Sequence, residues 1–283
     1  MRPVDQVSEA SVRRVERLGG WPLHRFSELG STNDEARRLA SGGAPHGTVV
    51  VARNQTAGHG RAGRPWIAPA GETLCMSIVV RDQVEWTILP LVAAVAVAET
   101  VGAQAAIKWP NDVVFAEAPG AGRRACTRGA AAARGVALRK VAGILCTGVP
   151  HDRWAVVGIG LNVALDLSTV PAEIAERAAT MGREPSELDD VLAELVDRFH
   201  AALALPFLDL LEAWSERDVL LGATVGWDAP GAGPRTGTAR GIDARGRLRV
   251  KSAHGTVAYL DAGEVHLRST AGGVLEGGAG EPW

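Results

Sequence analysis

Lysine is scarce in this chain: of its 30 Lys+Arg residues only Lys108, Lys140 and Lys251 are lysines. Cysteine is scarce too. Cys75, Cys126 and Cys146 are odd in number and share no metal-ligand spacing, which argues against a disulfide scaffold and points to a reduced, cytoplasmic protein. Net charge is small, −2 over 283 residues with a pI of about 6.4, so no global basic field draws the chain to nucleic acid or an anionic membrane. No apolar run approaches the ~20 residues needed to span a bilayer. Residues 1–17 lack the apolar core of a signal peptide, since Asp5, Glu9, Arg13, Arg14, Glu16 and Arg17 interrupt them. What remains is an ordinary globular composition, 46% hydrophobic and 22% charged, which excludes disordered, fibrous and collagen-like classes. The length suits one large domain or two small ones. A coding bias toward arginine explains the lysine skew itself. Yet where arginine substitutes so freely, a retained lysine marks a place for a compact ammonium that a planar guanidinium cannot replace.

Residues 1–22 read as a polar N-terminal extension, helical in pattern. The globular part is expected from Leu23. Residues 48–52 and 73–80 read as buried strands, 89–101 as a packed core helix, and 140–149 and 154–163 as two further strands joined by a turn at Pro150. Helical signals return over 171–216, where Leu188, Leu192, Leu195, Val196, Phe199 and Leu203 recur at helical spacing. From Gly222 the pattern changes to short strands at 224–227, 235–242, 248–252 and 256–260, separated by turn residues such as Asp243 to Gly246. That pattern suggests a small barrel. The expected division is a catalytic domain over 23–220, a C-terminal barrel over 221–268 and a loose Gly-rich tail over 269–283. Residues 116–139 contain little but Ala, Gly and Arg and read as a flexible insert.

Several short motifs carry polar chemistry. Gly58-His-Gly-Arg-Ala-Gly63 follows a strand and matches G-x-G-x-x-G. A dinucleotide fold needs a helix to begin there, and Pro65, Pro69 and Gly71 prevent one. What is left is a glycine-rich loop presenting backbone N–H groups with Arg61 and Arg64 to an anion, and Trp66 beside them. Ser31-Thr-Asn-Asp-Glu35 reads first as a helix cap, with Glu35 closing a capping box on Thr32, while a neighbouring hydroxyl remains able to face a pocket. Lys108-Trp-Pro-Asn-Asp112 follows a short strand and bends at Pro110, holding a lysine, an amide and a carboxylate at a strand edge. Lys140 opens an apolar strand in which Gly143 permits close backbone approach, and Gly158-Ile-Gly-Leu-Asn162 repeats the device one strand later. Strand packing explains the apolar residues of both motifs but not Lys140 or Asn162.

In this order, with Gln55-Thr-Ala-Gly58 leading into the glycine-rich loop, the motifs resemble the biotin protein ligase family over about residues 23–268. The resemblance implies an α+β fold: a class II aminoacyl-tRNA synthetase-like mixed sheet with flanking helices, plus a small SH3-like barrel. It implies activation of biotin by ATP to biotinyl-5′-AMP, then transfer to a lysine of a biotin carboxyl carrier domain, with Mg²⁺ screening the phosphates. Carried over by motif, Ser31, Thr32, Asn33, Gln55, Gly58, His59, Gly60, Arg61, Lys140 and Gly143 would bind biotin. Arg61, Arg64, Trp66, Lys108, Asn111, Asp112, Asn162 and Arg268 would bind ATP. Asp112 would face Mg²⁺, and Lys140, Arg61 and Arg64 would be catalytic. A homodimer is compatible with the family. Partners of nucleic-acid or membrane type are not expected, and neither is transcriptional repression, because the DNA-binding domain of repressor-type members has no counterpart here. His59 stands where the family motif more often carries arginine, a departure from which weaker binding by the loop is expected. Rival readings are a lipoate or octanoate ligase of the same architecture and a biotin-sensing module without chemistry. Product formation from ATP, biotin and a carrier domain separates them.

Overall fold

The computed structural model describes residues 12–81, 86–118, 122–123, 129, 136–149, 153–229, 233–261 and 266–267. Arg268, Cys126, the tail and most of the expected insert lie outside them. In chain order the elements are β1 (Val12–Leu18), β2 (Trp21–Leu29), α1 (Thr32–Ser41), β3 (Val49–Gln55), β4 (Thr73–Arg81), α2 (Leu89–Val101), β5 (Ala105–Lys108), β6 (Asp112–Ala118), β7 (Gly122–Arg123), β8 (Ala137–Val149) and β9 (Trp154–Asn162). These are followed by α3 (Ala172–Ala175), α4 (Leu188–Ala204), α5 (Phe207–Glu216), β10 (Thr224–Ala229), β11 (Gly233–Ile242), β12 (Leu248–Lys251), β13 (Val257–Leu260) and β14 (His266–Leu267).

Strands β1 to β9 form one mixed sheet in the order β1-β2-β3-β4-β9-β8-β6-β5, with β7 paired to β6. Only β2 and β3 run parallel; the other pairs are antiparallel. A separate antiparallel sheet has the order β13-β12-β11-β10-β14. Two expectations are corrected here. Residues 12–18, read as part of a helical extension, form β1 and pair with β2, and Trp21 is buried in the core. Residues 116–118 and 137–139, read as flexible insert, continue the β6–β8 ladder, where Glu117 and Arg139 pair at 2.6 Å. Their low hydrophobicity hid a ladder held by backbone bonds and an ion pair.

Strand alternation divides the large sheet into two faces. Val49, Val51, Ile78, Val80, Val157 and Ile159 join α2, α4 and α5 in the main core, while Val50, Ala52, Val79 and Val156 pack under α1. Helix α2 is buried along most of its length, as its Ala- and Val-rich sequence requires. Helix α1 packs on β3, β4 and β9, on the face that β8, β6 and β5 extend beyond it. Ser31 holds the N-cap position in extended geometry, but its side chain makes no cap bond, and Glu35 chelates Arg38 at 2.7 and 2.8 Å rather than closing a capping box. The free edge of β5 is covered by the chain after α5, where Ile107 exchanges backbone bonds with Arg217 and Val219. No helix among the described residues is long and apolar enough to cross a membrane.

Trp21 carries a titratable contact. Its ring lies 3.4 Å from that of His200 and edge-on to His46 at 5.6 Å. Burial lowers the His200 pKa, the charge of His46 lowers it further, and Asp197 opposes both. The folded state therefore binds fewer protons than the unfolded chain below the ordinary histidine value of about 6.5. Stability should fall as pH drops below that value, read as a lower Tm at pH 5.5 than at pH 7.5. His200→Gln should flatten the decline; an unaltered slope would show that His200 does not drive it.

Candidate active site

Strand register draws a line across the sheet. Cys75 on β4 opposes Gly160 on β9, Gly160 opposes Gly143 on β8, Gly143 opposes Asp112 on β6, and Asp112 opposes Lys108 on β5. Directly opposed residues share a face, so this row presents a thiol, two bare glycines, a carboxylate and an ammonium to the side on which α1 packs. Trp66 lies on the glycines. A Cβ on Gly160 would fall 2.4 Å from Trp66 Cε2, and one on Gly143 would fall 3.0 Å from Trp66 Cζ3. Burial pushes the Cys75 thiol up to about 12, with Gln55 and Trp66 opposing the shift, so it serves as an apolar wall. The indole is brought there by a loop closed on itself: Gly60 N–H donates to Arg64 O at 2.7 Å and Trp66 N–H to Gly58 O at 2.9 Å. A single 3₁₀ turn, Arg61–Gly63, forms its tip.

One end of the row meets the first turn of α1. The Thr32 N–H donates to Gln55 Oε1 at 2.7 Å, and Ser77 Oγ donates to Thr32 Oγ1 at 3.0 Å. Ser31, Thr32 and Ser77 are all buried. Gln55 Nε2 lies 2.8 Å from the point a Cβ on Gly58 would occupy, so this glycine lets the loop pass close to the amide.

The other end is charged. Lys140 Nζ lies 2.8 Å from Asp112 Oδ1 and 5.3 Å from the centre of the Trp66 ring. A regular strand would turn Lys140 away, because residues 140 and 143 are an odd number apart. The ladder slips between Val113, opposite Ala142, and Val114, opposite Lys140. That bulge sends Val141 into the core and brings Lys140 over Gly143. Arg61 Nη1 reaches Asn111 Oδ1 at 3.4 Å, and Asn111 Nδ2 donates to Ile144 O at 3.1 Å. Burial alone would raise the Asp112 pKa, but Lys140, Lys108 and Arg61 together hold it below the usual carboxylate range. Burial lowers the Arg61 pKa, Asp112 opposes the shift, and the charge of Arg64 adds to it. One carboxylate thus sits among several cations, an arrangement that accepts further negative charge.

Some expected residues are occupied elsewhere. Asn33 is buried and bonded to Leu145 O and Thr147. Asn162 is buried and its Nδ2 donates to Ala179 O at 3.0 Å, tying β9 to the chain after α3. His59 turns outward: its Nδ1 lies 3.3 Å from Ala57 O and its Nε2 4.0 Å from Asp34. Trp109, in the Lys108 motif, is buried and donates to Gly246 O at 2.9 Å, joining this edge to the small sheet. Arg268 lies outside the described residues. Sequence reasoning missed Cys75, Ser77 and Thr147, which stand in apolar strand runs; register with Gly160 and Gly158 singles out the first two, and the bond to Asn33 singles out Thr147. No cluster of three His, Cys, Asp or Glu able to hold a metal exists among the described residues.

A family model described as "Biotin/lipoate A/B protein ligase family" matches residues 28–164, and one described as "Biotin protein ligase C terminal domain" matches residues 230–268. The chain is 32% identical over 270 residues to the biotin–[acetyl-CoA-carboxylase] ligase of Mycobacterium tuberculosis, covering 88% of this chain and 91% of that protein. It is 31% identical over 198 residues to the bifunctional ligase/repressor of Bacillus subtilis, covering 65% of this chain and 54% of that protein, about half its length. Among solved structures, the biotin protein ligase from Aquifex aeolicus in complex with biotin and ATP is similar with a TM-score of 0.66 at 26% identity, covering 87% of this chain and 98% of that one.

The glycine floor yields a test. Gly160→Ala should lift the indole off the sheet and release the loop, at an overpacking cost of ~1–3 kcal/mol. Tryptic cleavage after Arg61 should then be several-fold faster in a protein that still folds. An unchanged cleavage rate would show that Trp66 does not anchor the loop.

Proposed function

This chain belongs to the biotin protein ligase family, and we propose that it is the ATP-dependent ligase that joins biotin to a lysine of a biotin carboxyl carrier domain. The supporting observation is the meeting, on one sheet face, of a hydrogen-bonding end, a glycine floor under Trp66 and a cationic end. Biotin's ureido head binds at Ser31, Thr32 and Gln55, its rings lie by Gly143 and Trp66, and its carboxylate reaches Lys140. The backbone of Gly58 and Gly60 lines the loop side. Asn33 and His59 are reassigned. Asn33 positions the first turn of α1, and His59 stays at the loop's outer edge beside Asp34.

In the first step a biotin carboxylate oxygen attacks the α-phosphorus of ATP. The α–β phosphoanhydride bond breaks and pyrophosphate leaves. Two anions must meet, so alignment and charge neutralisation carry the catalysis. Lys140 exchanges its bond with Asp112 for the new carboxylate–phosphate junction. Arg61 and Arg64 hold the phosphate side, and Lys108 and Asn111 face the nucleotide. In the second step a neutral lysine amine of the carrier attacks the acyl carbon, AMP leaves, and the amide forms with loss of a proton to solvent. Asp112 is a single carboxylate, which fits a magnesium ion held chiefly by the phosphates rather than by a protein cage. Magnesium would supply charge screening. We read the large sheet with its helices as class II aminoacyl-tRNA synthetase-like and the five-stranded sheet as SH3-like, with the division near residue 221. The setting is read as cytoplasmic, supported by the free thiols of Cys75 and Cys146.

The direct experiment incubates the chain with MgATP, biotin and a carrier domain, following pyrophosphate release and the mass of the carrier. Carrier biotinylation is expected. Release with lipoate or octanoate but not biotin, or no release at all, would overturn the proposal. Lys140→Ala should slow pyrophosphate release by about 10²–10³-fold with the fold intact by circular dichroism. An unchanged rate would remove Lys140 from the chemistry.

Arg61→Gly tests retention of the adenylate. The loop around Arg61 is rich in glycine, so the guanidinium supplies much of its order through Asn111 and the phosphate. Loss of a charge-assisted contact costs roughly 1.5–3 kcal/mol, or about ten- to a hundredfold in release rate. Adenylation should survive in part, and escaped biotinyl-5′-AMP should label lysines of an unrelated bystander protein. Adenylate formation without extra bystander labelling would show that Arg61 does not retain the intermediate.

A further inference from the structure

The first turn of α1 is fastened to the sheet by a polar clamp that no sequence motif contains as a unit. Asn33 Nδ2 donates to Leu145 O at 3.2 Å, and Asn33 Oδ1 accepts from Thr147 Oγ1 at 2.8 Å. Beneath the amide lies Gly158, where a Cβ would fall 2.7 Å from Asn33 Nδ2. The amide therefore rests against the strand backbone with no room to slide. The bonds of Thr32 run instead to Gln55 on β3, through its backbone N–H, and to Ser77 on β4, through its hydroxyl. Among the described residues, Asn33 links this turn to β8, the strand that also carries Gly143 and Lys140.

Residues 143, 145 and 147 alternate onto one face of β8, and the bulge at Val141 turns Lys140 onto it as well. The distance between the hydroxyls of the α1 turn and the Lys140 ammonium is thus set along one strand. From Lys140 to Leu145 that strand spans at most about 17 Å at ~3.3 Å per residue, the scale of one extended small molecule. A ligand gripped at both ends reads that distance. The amide of Asn33 has two nearly equivalent orientations, and only one matches a carbonyl acceptor with its NH₂ and a hydroxyl donor with its oxygen. The Leu145 carbonyl, which can only accept, selects that orientation, and the Thr147 hydroxyl holds the amide in it by donating to Oδ1.

We infer that Thr147 is a positioning residue for the small-molecule acid. Acting through Asn33, it fixes the spacing between the Ser31–Thr32 end of the pocket and Lys140. The inference rests on the proposed function, in which biotin spans those two ends. Because Thr147 acts through Asn33 on the hydroxyl end of the pocket, its effect falls on biotin affinity rather than on ATP.

Thr147→Val keeps the side-chain shape and removes the donor; Thr147→Ser keeps the donor. Biotin binding by calorimetry, the KM for ATP and the Tm are measured for both variants and the parent. Thr147→Val should weaken biotin binding three- to tenfold, the range that loss of a neutral hydrogen bond supports. The KM for ATP should stay within twofold, and Thr147→Ser should bind biotin within twofold of the parent. Adding Thr147→Val to Asn33→Ala should weaken biotin no further, since the two act as one unit. The inference is overturned if Thr147→Val binds biotin as the parent does or if Thr147→Ser is as weak as Thr147→Val. It is also overturned if affinity for biotin and ATP falls together with Tm, the mark of a merely structural role. A parent chain that binds no biotin overturns the proposed function, and the inference with it, before any variant is compared.

Discussion

Because Gly143 and Gly160 oppose each other on β8 and β9 with no side chain above them, the Trp66 indole lies against the backbone of the sheet. Much of the site follows from that contact. The indole fixes the end of a loop whose own bonds are few, and so determines where Arg61 stands. It also forms one wall for Lys140, whose ammonium lies near the ring. A methyl group at either glycine would move the ring, the loop and the neighbouring charges together. Glycine costs strand stability through its conformational freedom, and the large sheet tolerates this because Val157, Ile159 and Ile144 flank the pair and face the core.

The charged end is governed by electrostatic balance. Asp112 is the carboxylate that Lys140, Lys108 and Arg61 surround, and it keeps their mutual repulsion tolerable while the ligand is absent. A substrate bringing several negative charges can release Lys140 from this pair without leaving a buried cation alone. The scarcity of lysine gains meaning here. An ammonium on a flexible stem can move between carboxylate partners through a short arc, whereas a guanidinium fork bound in two places must break both bonds to move.

The strands that form the floor were legible in the sequence, since the apolar runs after residues 48, 73, 140 and 154 all lie in the large sheet. Helix α2 was legible for the same reason. The polar first strand was not, because β1 draws its order from pairing with β2 rather than from its own hydrophobicity. Site chemistry was legible where unusual residues stand in glycine-rich motifs, as at Lys140 and Asp112. It was illegible where ordinary residues gain a role from register. Ser77 and Thr147 look like strand filler until α1 is laid across them. Asn162 and Trp109 show the converse. Polar or aromatic residues within a site motif can serve the scaffold, one tying β9 to the following chain and the other reaching the small sheet.

That last tie joins the two sheets at a sensitive place. The segment from Lys108 to Asp112 is held at three points: Trp109 to Gly246, Asn111 to Ile144, and Asp112 to Lys140. Gly246 closes a turn whose backbone is fixed by Asp243 and whose φ of +75° is one that L side chains rarely adopt. The turn is therefore stiff, and its carbonyl is a fixed anchor for the Trp109 indole. The Trp109 bond gives a shift of the small sheet a short path to Asp112, through the residues from Trp109 to Asn111. Thr32 and Gln55 stand on the far side of the glycine floor and are braced by β3, β4 and β8. The two ends of the site thus share β8 but differ in their other supports. The hydroxyl end belongs to the large sheet alone, and the charged end is shared with the small one.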